Sequence, residues 1–172
     1  MRTTVVQDAL AAARAHTVID SPIGPLTLVA ANGVLAGLYM VDHRHRPDDA
    51  AFGPREADLF GEVTRQLDEY FAGRRRVFDV PLSMSGTPFQ TRVWAALRDI
   101  PYGETRGYGQ LAASIGQPKA SRAVGLANGR NPISIIVPCH RVIGSTGKMT
   151  GYGGGLERKE YLLALERGLP ML

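Results

Sequence analysis

The chain has one cysteine, placed after an apolar run in Ile135-Ile136-Val137-Pro138-Cys139-His140-Arg141-Val142. With no intramolecular disulfide to staple it, the fold depends on buried apolar surface, and a lone thiol fits a reducing compartment. The run predicts a strand whose end presents the thiol. The glycine-rich Gly151-Tyr152-Gly153-Gly154-Gly155 that follows predicts a loop whose backbone a flat substrate can approach. At 172 residues the chain has material for one substantial core or two small ones.

Composition narrows the class further. Hydrophobic residues make up 44% and charged residues 21%, as in an ordinary globular protein. No apolar stretch approaches the roughly 20 residues that cross a bilayer, so no membrane partner is expected. Residues 1–16 read as an N-terminal extension with a short helix around Gln7–Arg14. The segment lacks a continuous apolar core and carries Asp8, which argues against a secretory signal; the expected location is cytoplasmic. A net charge of +4 suits a polyanionic partner without requiring one.

Two halves are legible. In residues 17–85, Val18-Ile19 and Leu26-Thr27-Leu28-Val29 flank a Pro22–Pro25 turn, and Asn32-Gly33 predicts a hairpin into Val34–Tyr39. A polar loop over 42–55 precedes a helix with Leu59, Phe60, Val63, Leu67, Tyr70 and Phe71 on one face, ended by Gly73. Val77–Leu82 reads as a further strand. A boundary near Ser83–Gly86 opens the second half, residues 86–172. There Thr87, Pro88 and Gln90 form a capping box, and Phe89, Val93, Trp94 and Leu97 make a buried stripe. Short helices over Tyr108–Ile115 and Lys119–Asn128, joined by Gly116-Gln117-Pro118, have the form of a helix-turn-helix. A last amphipathic helix runs from Leu156 to Arg167 through Leu162, Leu163 and Leu165. The expected fold class is α+β: a small sheet-plus-helix domain, then a mostly helical domain with the helix-turn-helix and the cysteine.

The second helix of that pair, Ser121-Arg122-Ala123-Val124-Gly125-Leu126-Ala127-Asn128-Gly129, is unusually smooth. A helix that reads base edges carries several long polar side chains; here Arg122 is the one long polar group. Gly125 costs a helix up to about 1 kcal/mol against alanine, which points to tight packing or close approach. A smooth helix can press on sugars and phosphates while its arginine probes the base stack. The plainer reading is a core helix hairpin with Arg122 in a surface ion pair.

An ordinary cysteine is only a few per cent thiolate at neutral pH, so a nucleophilic Cys139 needs a base or a positive environment. His140 and Arg141 are adjacent, and Glu166 on the last helix can orient the histidine, the logic of nucleophile, base and orienter. Adjacency alone is weak: neighbours in an extended strand face opposite ways, and a Cys-His pair is more often a buried cysteine beside an incidental histidine.

Several motifs in order carry a resemblance. Pro138-Cys139-His140-Arg141-Val142, Ile100-Pro101-Tyr102-Gly103-Glu104-Thr105, the Arg122 helix, Asn131-Pro132 and Gly151–Leu156 resemble the O6-alkylguanine-DNA alkyltransferases. The match is dense from Phe89 to Glu166. It is looser at Ser21-Pro22-Ile23-Gly24 and Tyr70-Phe71-Ala72-Gly73. The resemblance implies direct, irreversible, stoichiometric transfer of an alkyl group from O6-alkylguanine in duplex DNA, and from O4-alkylthymine, to Cys139, with the damaged base flipped out. It implies that His140 draws the thiol proton through a water, Glu166 orients His140, and Asn131 braces the turn between the DNA-binding helix and the active-site strand. Arg122 enters the stack, and Tyr108 rotates the phosphate and bonds the base. Ser121, Ala123 and Asn128 complete the DNA contact in the minor groove. Val142, Tyr152, Gly153 and Lys159 join Tyr108 around the substrate, with backbone groups of Cys139 and Val142 on the guanine edge and the Gly153 N–H at O6. The implied protein is a monomer on double-stranded DNA, with cooperative binding left open, and needs no cofactor.

The chain departs from the family in places. Relatives often have serine where Gly153 stands. A cysteine-held structural zinc of some members cannot form here, because Cys139 is the one cysteine. His43-Arg44-His45-Arg46 reads as a solvated loop rather than a metal site, and Arg74-Arg75-Arg76 as either an exposed turn or a phosphate contact. The competing readings are a non-catalytic sensor of alkylated DNA, a helix-turn-helix regulator and a cysteine hydrolase. Cys139 speaks against the first, the smooth helix against the second, and the adjacent histidine against the third.

Overall fold

The computed structural model describes residues 13–144 and 151–169. Three antiparallel strands open it: β1 (Arg14–Ile19), β2 (Leu26–Ala31) and β3 (Val34–Met40), in the order β1-β2-β3. The Ser21 hydroxyl donates to the Gly24 carbonyl at 2.6 Å and closes the first turn, where Gly24 takes φ +96°. Asn32 and Gly33 both have positive φ, 51° and 79°, as the predicted tight hairpin requires. β2 is buried along almost its whole length because it lies between two partners.

Short 3₁₀ turns at Asp49–Phe52 and Ala57–Phe60 lead into α1 (Gly61–Phe71). Val63, Leu67 and Tyr70 face the core as the periodicity predicts, and Gly73 follows at φ +76°. Leu59 differs: it lies in the 3₁₀ turn and is half exposed, since the tighter turn rotates it off the apolar face. The predicted strand over Val77–Leu82 does not form; a single bridge joins Leu82 to Leu35 on β3. The expected helix around Gln7–Arg14 lies mostly outside the described residues, and Arg14 begins β1 instead.

The second half holds α2 (Pro88–Arg98), α3 (Tyr108–Ser114), α4 (Ser121–Gly129) and α5 (Leu156–Glu166). A two-residue parallel pair, β4 (Arg106–Gly107) with β5 (Val142–Ile143), ties the start of α3 to the segment after the cysteine. The capping box at α2 is complete: Gln90 N–H donates to Thr87 Oγ1 at 3.1 Å, and Thr87 N–H to Gln90 Oε1 at 3.0 Å. Trp94 packs beneath α4 and donates its indole N–H to the Ala127 carbonyl at 2.9 Å.

One core serves both halves. Leu28 and Leu38 of the sheet, Leu67 and Tyr70 of α1, Val93 and Leu97 of α2 and Leu162 of α5 belong to a single cluster of buried side chains. The outer edge of β3 also pairs with the second half, the Leu38 N–H donating to the Pro132 carbonyl at 2.9 Å beside a Leu38–Ile133 bridge. The N-terminal sheet thereby seats the segment that leads to Cys139. Leu67, fully buried at this junction, is a direct test: Leu67→Ala lowers unfolding free energy by about 2–5 kcal/mol, read as a lower urea midpoint at an unchanged slope.

Candidate active site

The segment from Asn131 to Val142 is not the predicted strand. It leaves α4 through a tight turn in which Ile135 holds φ +73° and the Ile136 N–H donates to the Ser134 carbonyl at 2.8 Å. A β-branched residue in this region costs on the order of 1–3 kcal/mol, a strain that the surrounding packing has to sustain; Ile135 is fully buried. Asn131 spans the turn, its Nδ2 donating to the Val137 carbonyl at 2.8 Å and its Oδ1 accepting from Ile133 N–H at 3.0 Å. The chain then enters a single 3₁₀ turn, Cys139–Arg141. That turn places Cys139, His140 and Arg141 all in the interior, where a strand would have alternated them.

Glu166, at the end of α5, gathers the groups around this turn. Its Oε2 accepts from His140 Nε2 at 2.6 Å, Tyr70 Oη at 2.6 Å and Arg141 Nη2 at 3.0 Å. Its Oε1 accepts from Arg141 Nε at 2.8 Å and the Gly103 N–H at 3.3 Å. Burial alone would raise the Glu166 pKa, but hydrogen bonds and charge from His140 and Arg141 outweigh it and hold the carboxyl well below its usual range. Burial pushes the His140 pKa down, against the pull of Glu166. The ring is therefore neutral at neutral pH. With Nε2–H committed to Glu166, the basic lone pair is on Nδ1, which is buried and without a partner among the described residues.

Cys139 is buried, and burial raises its thiol pKa above the usual value. Hydrogen bonding by the Asn131 and Ser134 side chains and the charge of Lys159 act in the opposite direction. The thiol lines a cavity of about 170 Å³ together with Tyr108, Gly125, Asn128, Tyr152 and Gly153.

Of the residues the sequence proposes, the structure brings Cys139, His140, Glu166 and Asn131 together at the turn, and Tyr108, Tyr152 and Gly153 around the cavity. Arg122 and Ala123 are exposed on α4, with Ser121 half-buried. Asn128 is buried instead, its Nδ2 reaching toward the Cys139 carbonyl at 3.5 Å. Lys159 and Val142 do not line the cavity: the Lys159 Nζ, fully buried, donates to the Val142 carbonyl at 2.6 Å and props the segment after the thiol. A Cβ on Gly125 would meet the Tyr108 ring at an ordinary 3.6 Å, so packing within the protein does not require glycine there. Arg75 pairs with Glu69 at 2.7 Å, and Arg76 lies over the Tyr102 ring. No cluster of metal-ligating side chains occurs among the described residues.

Sequence reasoning missed His43. The expected solvated loop holds for Arg44 and His45, while Arg46 is half-buried over the Phe52 ring and His43, 8% exposed, forms part of the cavity wall. Its loop folds inward because Arg44 N–H donates to the Gly153 carbonyl at 2.8 Å, and Arg158 of α5 bonds the Val41 and Gly154 carbonyls at 2.7 and 2.9 Å. Tyr70 read only as a core aromatic, and nothing in the helical period marks its hydroxyl as a ligand of Glu166.

The chemistry open here is that of a cysteine nucleophile with an imidazole base, on a helix-turn-helix scaffold. Residues 88–168 match the family model described as 6-O-methylguanine DNA methyltransferase, DNA binding domain, and residues 15–84 its ribonuclease-like domain. The chain is 57% identical over 152 residues to the methylated-DNA--protein-cysteine methyltransferase of Mycobacterium tuberculosis, covering 88% of this chain and 92% of that one. It is 52% identical over 151 residues to the protein of the same name from Methanosarcina acetivorans, covering 88% and 97%. The crystal structure of Mycobacterium tuberculosis OGT in complex with DNA superposes with a TM-score of 0.84 at 54% identity, over 90% of this chain and 93% of that one. The chain belongs to the 6-O-methylguanine DNA methyltransferase family.

Two titrations follow from the site. His43 and His140 have lowered pKa values, His43 from 6.5 to about 4 chiefly through burial. The unfolded chain therefore binds protons that these rings refuse, and stability falls as pH drops from about 6.5 toward 4. The depressed Glu166 adds stability above the ordinary carboxylate range that is lost below about 4.5. His43→Gln shrinks the first loss and Glu166→Gln the second in urea titrations across pH. Glu166→Gln also costs about 3–5 kcal/mol at neutral pH by leaving the buried Arg141 uncompensated.

Proposed function

We propose that this chain repairs DNA by moving the alkyl group of an O6-alkylguanine, once and irreversibly, onto Cys139. The observation that carries the reading is the buried assembly of Cys139, His140 and Glu166, with the His140 proton committed to Glu166 at 2.6 Å. Cys139 is the one cysteine of the chain, so a cysteine acceptor has a single candidate. His140 Nδ1 takes the thiol proton through a bridging water, and Glu166 balances the imidazolium that forms. The thiolate attacks the alkyl carbon; the S–C bond forms as the C–O6 bond breaks, and its electron pair leaves with the guanine. The proton taken from sulfur is the one the restored base requires, so no further reactant is needed. The thioether product has no hydrolytic exit, and each molecule acts once. O4-alkylthymine presents the same bond and is the second substrate.

The smooth outer face of α4 supports docking in the minor groove. Ala123 is exposed, Leu126 is 71% exposed at the cavity rim, and Arg122 extends from the first turn. The buried thiol is out of reach of a stacked base, so the damaged nucleotide is flipped, at a few kcal/mol. Arg122 fills the stack it leaves and Tyr108 holds the flipped base. One chain supplies every group used, which supports action as a monomer, and a lone cysteine with no disulfide partner in the chain fits the cytoplasm.

Mass spectrometry after incubation with a duplex carrying one O6-methylguanine tests the assignment. One methyl per protein on Cys139, saturating at one equivalent, is the expected result; an unmodified sulfur in folded, reduced protein favours a sensor of alkylated DNA. Cys139→Ala abolishes transfer and retains binding to the alkylated duplex. Arg122→Ala slows repair of duplex by on the order of tenfold or more, the scale of the flipping cost, and leaves reaction with free O6-alkylguanine nearly unchanged; equal losses on both substrates overturn that role.

A further inference from the structure

His43 takes no part in the bond changes just described, yet its ring is held where the two segments that frame the thiol come together. Asp42 at φ +57° and His45 at φ +62° both take the left-handed conformation, found in only a few per cent of non-glycine residues, and fold the side chain between them inward. The Met40 N–H donates to His43 Nδ1 at 3.0 Å. The ring also packs edge to face with Tyr39, the centroids 5.6 Å apart at 78°. Its outer edge lies against the glycine loop and the turn before Cys139 together. A Cβ on Gly153 would stand 2.8 Å from His43 Nε2 and 2.9 Å from Cδ2, and the Ser134 hydroxyl is 3.4 Å from Nε2. The ring thus occupies the space that a side chain at position 153 would need. His43, Gly153, Ser134 and Cys139 all line one cavity.

We propose that His43 is a specificity-determining residue of the alkyl transfer: its ring stands in for a side chain on the glycine loop and closes the alkyl end of the cavity, so that Cys139 accepts methyl and other small alkyl groups in preference to bulky ones such as benzyl. The inference rests on Cys139 being the acceptor of an O6-alkylguanine. The alkyl carbon has to reach the sulfur, so the base enters with O6 toward the active-site turn, and the ring stands where that turn meets the glycine loop. The space is small: about 170 Å³, against roughly 300 Å³ at the low end of ordinary ligand pockets, which leaves little beyond a purine. The wall is also stiff. Swinging the ring out strands the buried Met40 N–H without its acceptor. The loop that carries the ring is pinned to the glycine loop by the Arg44 N–H on the Gly153 carbonyl at 2.8 Å. With a pKa of about 4 the ring is neutral at neutral pH, so an alkyl group meets an uncharged surface.

The test compares duplexes carrying a single O6-methylguanine or a single O6-benzylguanine and follows Cys139 modification by mass spectrometry in the full-length protein. The readout is the ratio of benzyl to methyl transfer rates, which cancels any change in thiol reactivity or DNA binding common to both. His43→Ala raises that ratio by about tenfold or more, the scale on which a pocket discriminates by size. His43→Asn keeps an acceptor for the Met40 N–H and lacks the outer part of the ring; it moves the ratio the same way and carries the test if His43→Ala does not fold. His43→Gln, whose amide reaches the Nε2 position, brings the ratio back toward the wild-type value. A second measurement reads the packing without any alkylated base: Gly153→Ala lowers the urea midpoint in the wild-type background and loses most of that effect in His43→Ala, where the space is empty. A ratio unmoved in His43→Asn, or a Gly153→Ala penalty undiminished in His43→Ala, overturns the proposal. Failure of the acceptor assignment is seen separately, as an unmethylated Cys139 in wild-type protein treated with the O6-methylguanine duplex.

Discussion

The buried carboxylate of Glu166 is the interaction on which the rest of the structure depends. It accepts from Tyr70 of the N-terminal half, from His140 and Arg141 of the active-site turn, and from the Gly103 backbone. A charge this deep is costly unless its lone pairs are filled, and here the partners come from separate stretches of chain. The charge that binds the two halves is also the one that sets the His140 tautomer, so folding and chemistry share a single group. Arg141 completes the arrangement by bonding both Glu166 oxygens, sharing Oε2 with the imidazole, and its guanidinium also donates to the Ile100 carbonyl at 2.6 Å.

The N-terminal half does more than support. Its sheet edge seats the segment leading to the thiol through Leu38, its helix supplies the Tyr70 hydroxyl, and its loop carries His43 to the cavity wall. Burial keeps Cys139 protonated at rest, which protects a residue that can be spent only once. Ionisation is then favoured by the neighbours that pull the thiol pKa down against burial, the Asn131 and Ser134 side chains and the Lys159 charge. A thiol held in this way is poised rather than permanently activated.

Much of the fold was legible because it is written in local rules. The Asn32-Gly33 hairpin, the Thr87–Gln90 capping box, the periodic face of α1 and the glycine turn between α3 and α4 each need only neighbouring residues to be specified. The strand expected at Ile135–Val137 failed because an apolar run reads alike for any buried segment; the positive φ of Ile135 and the missing N–H of Pro138 turned it into a bend. Val77–Leu82 had strand-like residues but only one bridge to β3, and strand propensity without a ladder does not make a strand.

The sequence by itself determined the nucleophile, its imidazole neighbour, the helix pair and the order of motifs, since these follow from residue identity and short spacing. Only the tertiary structure decided what surrounds them. Tyr70 and Glu166 meet across a separation of 96 residues, and Ser134 and His43 across 91. Lys159 turned from the expected cavity wall to a buried contact with the Val142 carbonyl, Asn128 lies buried in the cavity wall, and His43 moved from solvent to that wall. The physical reason is that hydrogen bonding in a buried site is set by which backbones pack together, and packing over such distances leaves no period, cap or turn in the chain to be read.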